Sequence, residues 1–258
     1  MLHATLMYHD VVRDGKRSGR DAGGRNRYEH SWDDFVVHLD HLARRSRTPV
    51  AAEALRPGRA VDWSLTFDDG GSSAVAVGEE LARRGWHAYF FITTGLIGRQ
   101  GFVDQEAVRS LDESGHVVGS HSVTHPARFA SLGERELDRE WRDSIDMLAD
   151  ILGRPVRTAS VPGGDFRPHV ATAAARAGIS LLFTSEPRLA TREIAGCVVA
   201  GRYSVTARTS ARLASEAAAG RRSAWARQAA GWHARRAAKA VAGRRYYALR
   251  RHFMRPRR

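Results

Sequence analysis

Short apolar runs alternate with amphipathic helical segments through most of the 258-residue chain, and this alternation limits the fold more than any other feature. Seven runs have the length and composition of buried strands. They are Ala4–Tyr8, Trp63–Phe67, His87–Ile92, Val117–Gly119, Val156–Val161, Ser180–Phe183 and Cys197–Ala200. Helical periodicity lies between them, at Trp32–Ala43, Ala74–Arg84, Gln105–Ser114, Glu134–Leu152 and His169–Ala177. This order predicts an α/β fold whose mainly parallel sheet closes, or nearly closes, into an irregular barrel.

The positive charge of the chain is concentrated at its C-terminal end. The whole sequence has 41 basic and 28 acidic residues, a formal net charge of +13. Residues 207–258 contain 15 Arg or Lys and one acid, a net charge of +14, so residues 1–206 carry −1. We therefore expect a near-neutral barrel over residues 1–206 and a basic, Ala- and Arg-rich helical tail over residues 207–258.

Aromatic residues in the tail leave three roles open for it. Trp225 and Trp232 are seven residues apart, so one face of a helix would carry both indoles. A basic helix with such a face suits an anionic membrane surface. The same face could instead pack against the barrel. Nucleic-acid binding is the weakest alternative, because the sequence has no zinc-finger, helix-turn-helix or RRM motif.

Two further features of the sequence bear on the compartment and on cofactors. No stretch approaches ~18 consecutive apolar residues, and no basic-then-apolar leader precedes the first predicted strand. We therefore expect a cytoplasmic protein, peripheral on the inner membrane face if the tail binds lipid. The single cysteine, Cys197, can form neither an internal disulfide nor a thiolate metal cage. A bound metal must then use histidine and carboxylate ligands.

Two polar clusters follow predicted strands. Asp68 and Asp69 end the second predicted strand. They form either a solvated Asp-Asp-Gly turn or a pair of acids with different roles at the catalytic end of a barrel. His121 and His125 follow the fourth predicted strand, and two imidazoles with one carboxylate can hold Zn, Fe, Co, Ni or Mn. Two surface histidines without a ligand are the alternative.

Four motifs together resemble the polysaccharide deacetylases, the carbohydrate esterases of family four that share the NodB homology domain. They are LMYHDVV at 6–12, TFDDG at 66–70, HSVTHP at 121–126 and LFTSEP at 182–187, and the resemblance covers about residues 2–206. It implies a distorted (β/α)7 barrel that acts on an acetylated carbohydrate. By the same resemblance Asp68 is the general base. Asp69, His121 and His125 are the metal ligands.

Hydrolysis of an acetyl group also needs an oxyanion donor and a proton for the leaving amine. The Pro-Gly-Gly turn at 162–164 stands at the family's third motif, so Gly163 or Gly164 N–H is the expected donor, with a plain tight turn as the alternative. Ser160 replaces the family's base-orienting arginine, and the family's late histidine, its general acid, is absent. His9, at the end of the first predicted strand, is the best replacement acid, or else a buried structural histidine.

Together these features predict a metal-dependent deacetylase that removes the N-acetyl or O-acetyl group of a sugar in a polysaccharide or glycan intermediate. Zinc is the first choice of metal, and no organic cofactor is expected. A C–N hydrolase of small non-peptide amides on the same barrel is the alternative among enzymes. A catalytically impaired carbohydrate-binding domain is the alternative from another class, because two family motifs are missing.

Overall fold

The computed structural model describes residues 2–13, 19, 27–45, 48–51 and 62–253. The strands are β1 (His3–Tyr8), β2 (Val11–Val12), β3 (His30–Ser31), β4 (Asp62–Phe67), β5 (Tyr89–Ile92), β6 (Val117–Ser120), β7 (Thr158–Ser160), β8 (Leu181–Phe183), β9 (Arg192–Ile194), β10 (Cys197–Ala200) and β11 (Tyr203–Ser204). The helices are α1 (Trp32–Arg45), α2 (Ala74–Arg83), α3 (Gln105–Glu113), α4 (Glu134–Leu152), α5 (Pro168–Arg176), α6 (Ala211–Ala218) and α7 (Arg222–Phe253).

Nine of the strands form one curled sheet in the order β11-β1-β4-β5-β6-β7-β8-β10-β9. Neighbouring strands run parallel, except that β9 is antiparallel to β10. The seven predicted strands are confirmed as β1, β4, β5, β6, β7, β8 and β10, so the α/β barrel prediction is confirmed with them. Because the strands are parallel, their carboxyl ends meet at one rim of the barrel, where chemistry is usually placed.

One extended segment, residues 197–204, joins the two sides of the barrel. Its first part, β10, pairs with β8, and its last part, β11, pairs with β1. Gly201 lies between the two parts, where a Cβ atom would collide with the carbonyl oxygen of Glu186. A residue with a side chain would not fit there. Arg202 follows, with its backbone N–H donating to the same carbonyl at 2.9 Å, and its side chain is fully buried.

The two faces of the sheet carry different parts of the core. Side chains alternate between faces along a strand, and β5 places Tyr89 and Phe91 in one buried cluster and Phe90 and Ile92 in another. The first cluster also contains Leu181 and Phe183 of β8. The guanidinium of Arg202 lies over the Phe91 ring, 5.8 Å from its centre. Arg202 is therefore on the side of the sheet that holds the smaller cluster.

The first part of the basic tail belongs to the hydrophobic core. The buried alanines of α6 pack there, and Trp225 of α7 is 4% exposed. The Trp225 indole N–H donates to the carbonyl oxygen of Ala217 at 3.0 Å, and its ring meets that of Tyr203 with the centres 5.7 Å apart. Core packing thus continues past Thr206, the expected end of the barrel. Within the described residues, no helix combines the length and the apolarity needed to cross a bilayer.

The two indoles of α7 should differ in their contribution to stability. We expect Trp225→Ala to lower the free energy of unfolding by about 3–5 kcal/mol, because it leaves a cavity where a large aromatic side chain was buried. Trp232→Ala is the matched control, since the Trp232 ring is half-buried and lies against Arg236 on the same helix. Urea unfolding measures both. Equal, small losses would mean that the Trp225 ring is available to a membrane and not needed by the core.

Candidate active site

Two adjacent carboxylates stand at the carboxyl end of β4. Asp68 and Asp69 are 4% and 8% exposed. The chain turns sharply between them and the following helix, with φ of 77° at Asp69 and 76° at Gly70. A positive φ at a residue that is not glycine is uncommon and concentrates at functional sites. The turn keeps both acids at the rim of the barrel.

The two histidines are carried by a tight loop that follows β6. Ser122 and His125 both have positive φ, 64° and 53°. The Ser122 hydroxyl accepts the His125 backbone N–H at 3.0 Å. Glu140 of α4 accepts the backbone N–H groups of Val123 and Thr124, both at 2.9 Å. These hydrogen bonds compensate for the strained backbone and hold the loop in one shape.

Asp69, His121 and His125 lie together in a geometry that suits one ion. Asp69 Oδ1 is 3.4 Å from His121 Nε2 and 3.4 Å from His125 Nε2, and the three ligand atoms lie within 4.8 Å of one another. Bonds of ~2.1 Å to a tetrahedral ion separate its ligands by ~3.4 Å. Among the described residues, the buried Asp69 Oδ1 has no hydrogen-bond partner. The three residues therefore fit a divalent cation.

The ionisation state of Asp69 also suits a cation ligand. Burial alone would raise the pKa of Asp69, but the hydrogen bond with His121 and the nearby His9 and His125 lower it below its ordinary range. The carboxyl group is thus ionised at neutral pH.

Ser160 connects His121 to Asp68. His121 Nδ1 donates to the Ser160 carbonyl oxygen at 3.0 Å and also lies 2.6 Å from the Ser160 hydroxyl oxygen. The hydroxyl in turn donates to Asp68 Oδ1 at 3.2 Å. A proton on Nδ1 leaves Nε2 of His121 with its lone pair free for a metal.

Arg202 holds Asp68 through two hydrogen bonds. Its Nη1 donates to Asp68 Oδ1 at 2.6 Å and its Nη2 to Oδ2 at 2.8 Å. Further bonds run from Nη1 to the Thr66 hydroxyl at 3.0 Å and from Nε to the Thr184 carbonyl at 3.1 Å. Burial would raise the pKa of Asp68, but the charge of Arg202, and after it the neighbouring His121, lowers it. Asp68 is therefore kept ionised and oriented.

The role of Arg202 was not predicted from the sequence. Ser160 stands where the family has its base-orienting arginine, and the arginine that binds Asp68 comes instead from the segment between β10 and β11. A signal was present, because an arginine that directly follows a predicted strand lies at the catalytic rim of a barrel. With Arg202 in place, the missing arginine no longer gives a reason to regard the site as impaired.

His9 lies next to both carboxylates, as expected from its place after β1. Its proximity lowers the pKa of Asp68 and of Asp69. The ring stacks on Tyr28 with the centres 4.4 Å apart and the planes at 20°. Its Nδ1 is buried and has no hydrogen-bond partner among the described residues. The position of His9 is consistent with either role considered for it, although an unpartnered nitrogen is unusual for a structural histidine.

The Pro-Gly-Gly turn follows β7, the strand next to β6. Gly163 and Gly164 both have positive φ, 60° and 65°. Gly164 N–H donates to the Val161 carbonyl at 3.3 Å, which occupies it within the turn. Gly163 is the second residue of this 3₁₀ turn, where an N–H has no partner inside the turn. Of the two expected oxyanion donors, Gly163 is thus the better placed.

Residues 56–182 match the protein-family model described as polysaccharide deacetylase. The chitooligosaccharide deacetylase of Sinorhizobium fredii is 28% identical over 159 residues, 59% of this chain and 67% of that protein. A gellan lyase from a Bacillus species is 33% identical over 110 residues, 42% of this chain and 4% of that protein. The chain spans less than half the length of the first curated relatives that it matches.

Solved structures share the fold. The structure of IcaB from Ammonifex degensii superposes with a TM-score of 0.67 and 26% identity, covering 84% of this chain and 97% of that one. A polysaccharide deacetylase from Bacillus cereus superposes with a TM-score of 0.71 over 84% of this chain and 69% of that one, at 19% identity. The barrel described above is therefore the one these proteins have.

Proposed function

The chain belongs to the polysaccharide deacetylase family through residues 56–182, and on this basis we propose that it hydrolyses the N-acetyl group of an acetylated sugar with a divalent cation. The observation that carries the proposal is the cluster of Asp69, His121 and His125 beside the ionised Asp68. One relative is named a chitooligosaccharide deacetylase, and this name supports a substrate built from N-acetylglucosamine.

Asp69, His121 and His125 would hold the cation, with zinc as first choice because two nitrogens and one carboxylate oxygen are among its preferred ligands. Cobalt, nickel, manganese and iron fit the same donor set. A bound ion would supply Lewis acidity at the acetyl carbonyl. Three protein ligands leave coordination positions open, as a catalytic site requires and a structural site does not.

The residues around the cluster divide the remaining chemistry among them. Asp68 accepts the proton of the attacking water, because it is the ionised carboxylate beside the cluster that Arg202 and Ser160 hold in place. Gly163 N–H stabilises the oxyanion that forms from the acetyl carbonyl. His9 donates a proton to the leaving amine, since an amine leaves poorly as an anion.

Acetate release and metal content, measured on the same protein, test the proposal. The full chain, loaded with zinc, is offered an N-acetylglucosamine oligosaccharide, an O-acetylated sugar and a cyclic ureide. We expect acetate from the N-acetyl substrate and about one zinc ion per chain. Turnover of the ureide alone would instead identify a hydrolase of small amides. Bound zinc without turnover of any substrate would identify a carbohydrate-binding domain.

Single substitutions connect the metal to the activity. His125→Ala should lose both zinc and acetate release, because a site with two protein ligands holds the ion far more weakly. His87→Ala is the matched control, since His87 is exposed and precedes β5, at the opposite end of the barrel from the site. Zinc content by mass spectrometry and acetate release are read together. Full zinc content in His125→Ala would remove this histidine from the ligand set.

A further inference from the structure

A second polar cavity lies beside α7, outside the site described above. Its volume is about 190 Å³. Three arginines and three hydroxyl residues line it: Arg27, Arg227, Arg235, Ser204, Thr206 and Thr209. They come from three separate parts of the chain, namely the segment before β3, the segment that follows β11, and α7. The three arginines are exposed, so solvent screens their mutual repulsion, and a polyvalent anion would be attracted by all of them.

Hydrogen bonds hold the walls of this arginine pocket together. The backbone N–H of Ala207 donates to the Arg27 carbonyl at 2.9 Å. The Gln228 side chain accepts the Ser204 backbone N–H at 2.7 Å and donates to the Ser204 carbonyl at 2.9 Å. The backbone N–H and C=O of Ser204 are therefore both hydrogen-bonded to a side chain of α7, which fixes this wall of the pocket.

No carboxylate belongs to the described lining of the arginine pocket. Glu216, the one acid among residues 207–258, accepts a hydrogen bond from Arg212 at 3.0 Å and also interacts with the charge of Arg227, so it offsets only part of the positive charge of the three arginines. Guanidinium groups with hydroxyl donors are the usual partners of phosphate, because several N–H and O–H groups can bind its oxygens at once. The volume is below the ~300 Å³ typical of sites for whole small ligands. It suits one or two phosphate groups.

The arginine pocket opens at the same end of the barrel as the candidate active site. The Arg27 guanidinium lies over the Tyr28 ring, 4.7 Å from its centre, and that ring stacks on His9 at 4.4 Å. Ser204 and Thr206 stand at the carboxyl end of β11, next to the carboxyl end of β1 where His9 lies. The stacked Tyr28 ring thus lies between Arg27 of the arginine pocket and His9 of the candidate active site.

We propose that the arginine pocket binds the phosphate or diphosphate group of a phosphorylated, acetylated sugar. The sugar half of this assignment rests on the proposed function. The phosphate half rests on the pocket alone, because it follows from the charge, the hydroxyl donors and the volume. A phosphate held there keeps the sugar attached to it at the catalytic rim, beside His9.

Binding of inorganic diphosphate to the full chain tests the phosphate half. We expect calorimetry to show binding that the double variant R227Q/R235Q weakens at least tenfold, with the loss greatest at low salt. R236Q is the matched control, because Arg236 is next in sequence and lies over Trp232, away from the pocket. The proposal would be overturned if R227Q/R235Q bound diphosphate as tightly as the wild type, or if R236Q lost as much affinity as the double variant.

Substrate comparison tests the sugar half. An N-acetylglucosamine oligosaccharide with a diphosphate at its reducing end should have a KM at least tenfold below that of the neutral sugar, and the double variant should lose this difference. If the two KM values agree in the wild type, the assignment to substrate is overturned. Competition between diphosphate and phosphatidylglycerol vesicles would then identify a lipid headgroup as the source. If neither sugar releases acetate, the proposed function is refuted. The calorimetry tests the phosphate site independently of that result.

Discussion

Replacing Asp68 with asparagine should lower kcat for deacetylation by about a thousandfold and leave the metal content unchanged. Asparagine has nearly the same shape, and its carbonyl can still accept from Arg202 or Ser160, so the surrounding packing survives. It cannot accept a proton at neutral pH, and general-base catalysis typically contributes 10²–10⁴ in rate. Asp68 is not one of the three ligand residues, which is why the metal should stay.

Acetate release and zinc content of the same preparation check this result. Asp69→Asn is the informative neighbour, because it changes a proposed ligand and should reduce the zinc content as well. Asp165→Asn is the control, because Asp165 is a carboxylate near the site that only supports the backbone. In the described structure it accepts only the Ala130 N–H, at 3.1 Å. Wild-type turnover in Asp68→Asn would assign the base to another group.

Replacing Arg202 with methionine should both slow the enzyme and move its pH profile. Arg202 lowers the pKa of Asp68 against the effect of burial, so its removal raises that pKa. The ionised base is then lost at a higher pH than in the wild type. We expect kcat/KM at pH 7 to fall about a hundredfold or more, and part of it to return as the pH is raised.

The pH profile separates positioning of the base from a merely structural role. Loss of one partner of a buried ion pair costs about 3–5 kcal/mol of stability. A less stable variant that still folds would nevertheless lose kcat/KM at the same acidic pH as the wild type, because the pKa of its base is unchanged. Arg192→Met is the control, because Arg192 pairs with Glu186 at 3.1 Å in a half-exposed bridge. An unshifted acid limb in Arg202→Met would mean that Arg202 does not set the pKa of Asp68.

The local part of the site could be predicted from the sequence because its residues are near neighbours in the chain. Asp68 and Asp69 are adjacent, and the four-residue spacing of His121 and His125 already suits one ion. The structure brings Asp69 and both histidines together as expected. Seven strands could be predicted for a similar reason, since each is an apolar run bounded by turn residues.

The residues that support the base could not be predicted in the same way. Arg202 is 134 positions from Asp68 in the sequence, and their pairing depends on how the barrel closes. The edge strands β9 and β11 have three and two residues, too few for a periodicity to be visible. The buried alanines of α6 gave no apolar stripe distinct from the Ala-rich tail around them, so the extent of core packing was not foreseen.

The segment of residues 197–204, which joins the two sides of the barrel, determines when the proposed site is completed during synthesis. Asp69, His121 and His125 all fall within 57 consecutive residues, and a nascent chain that has emerged that far already contains every proposed ligand. Arg202 is made much later, and it reaches Asp68 only when β11 docks beside β1. An incompletely synthesised or C-terminally clipped chain could therefore capture an ion while lacking the guanidinium that prepares the base. Hydrolysis by the proposed mechanism would thus require that Arg202 has been synthesised and that β11 has docked beside β1.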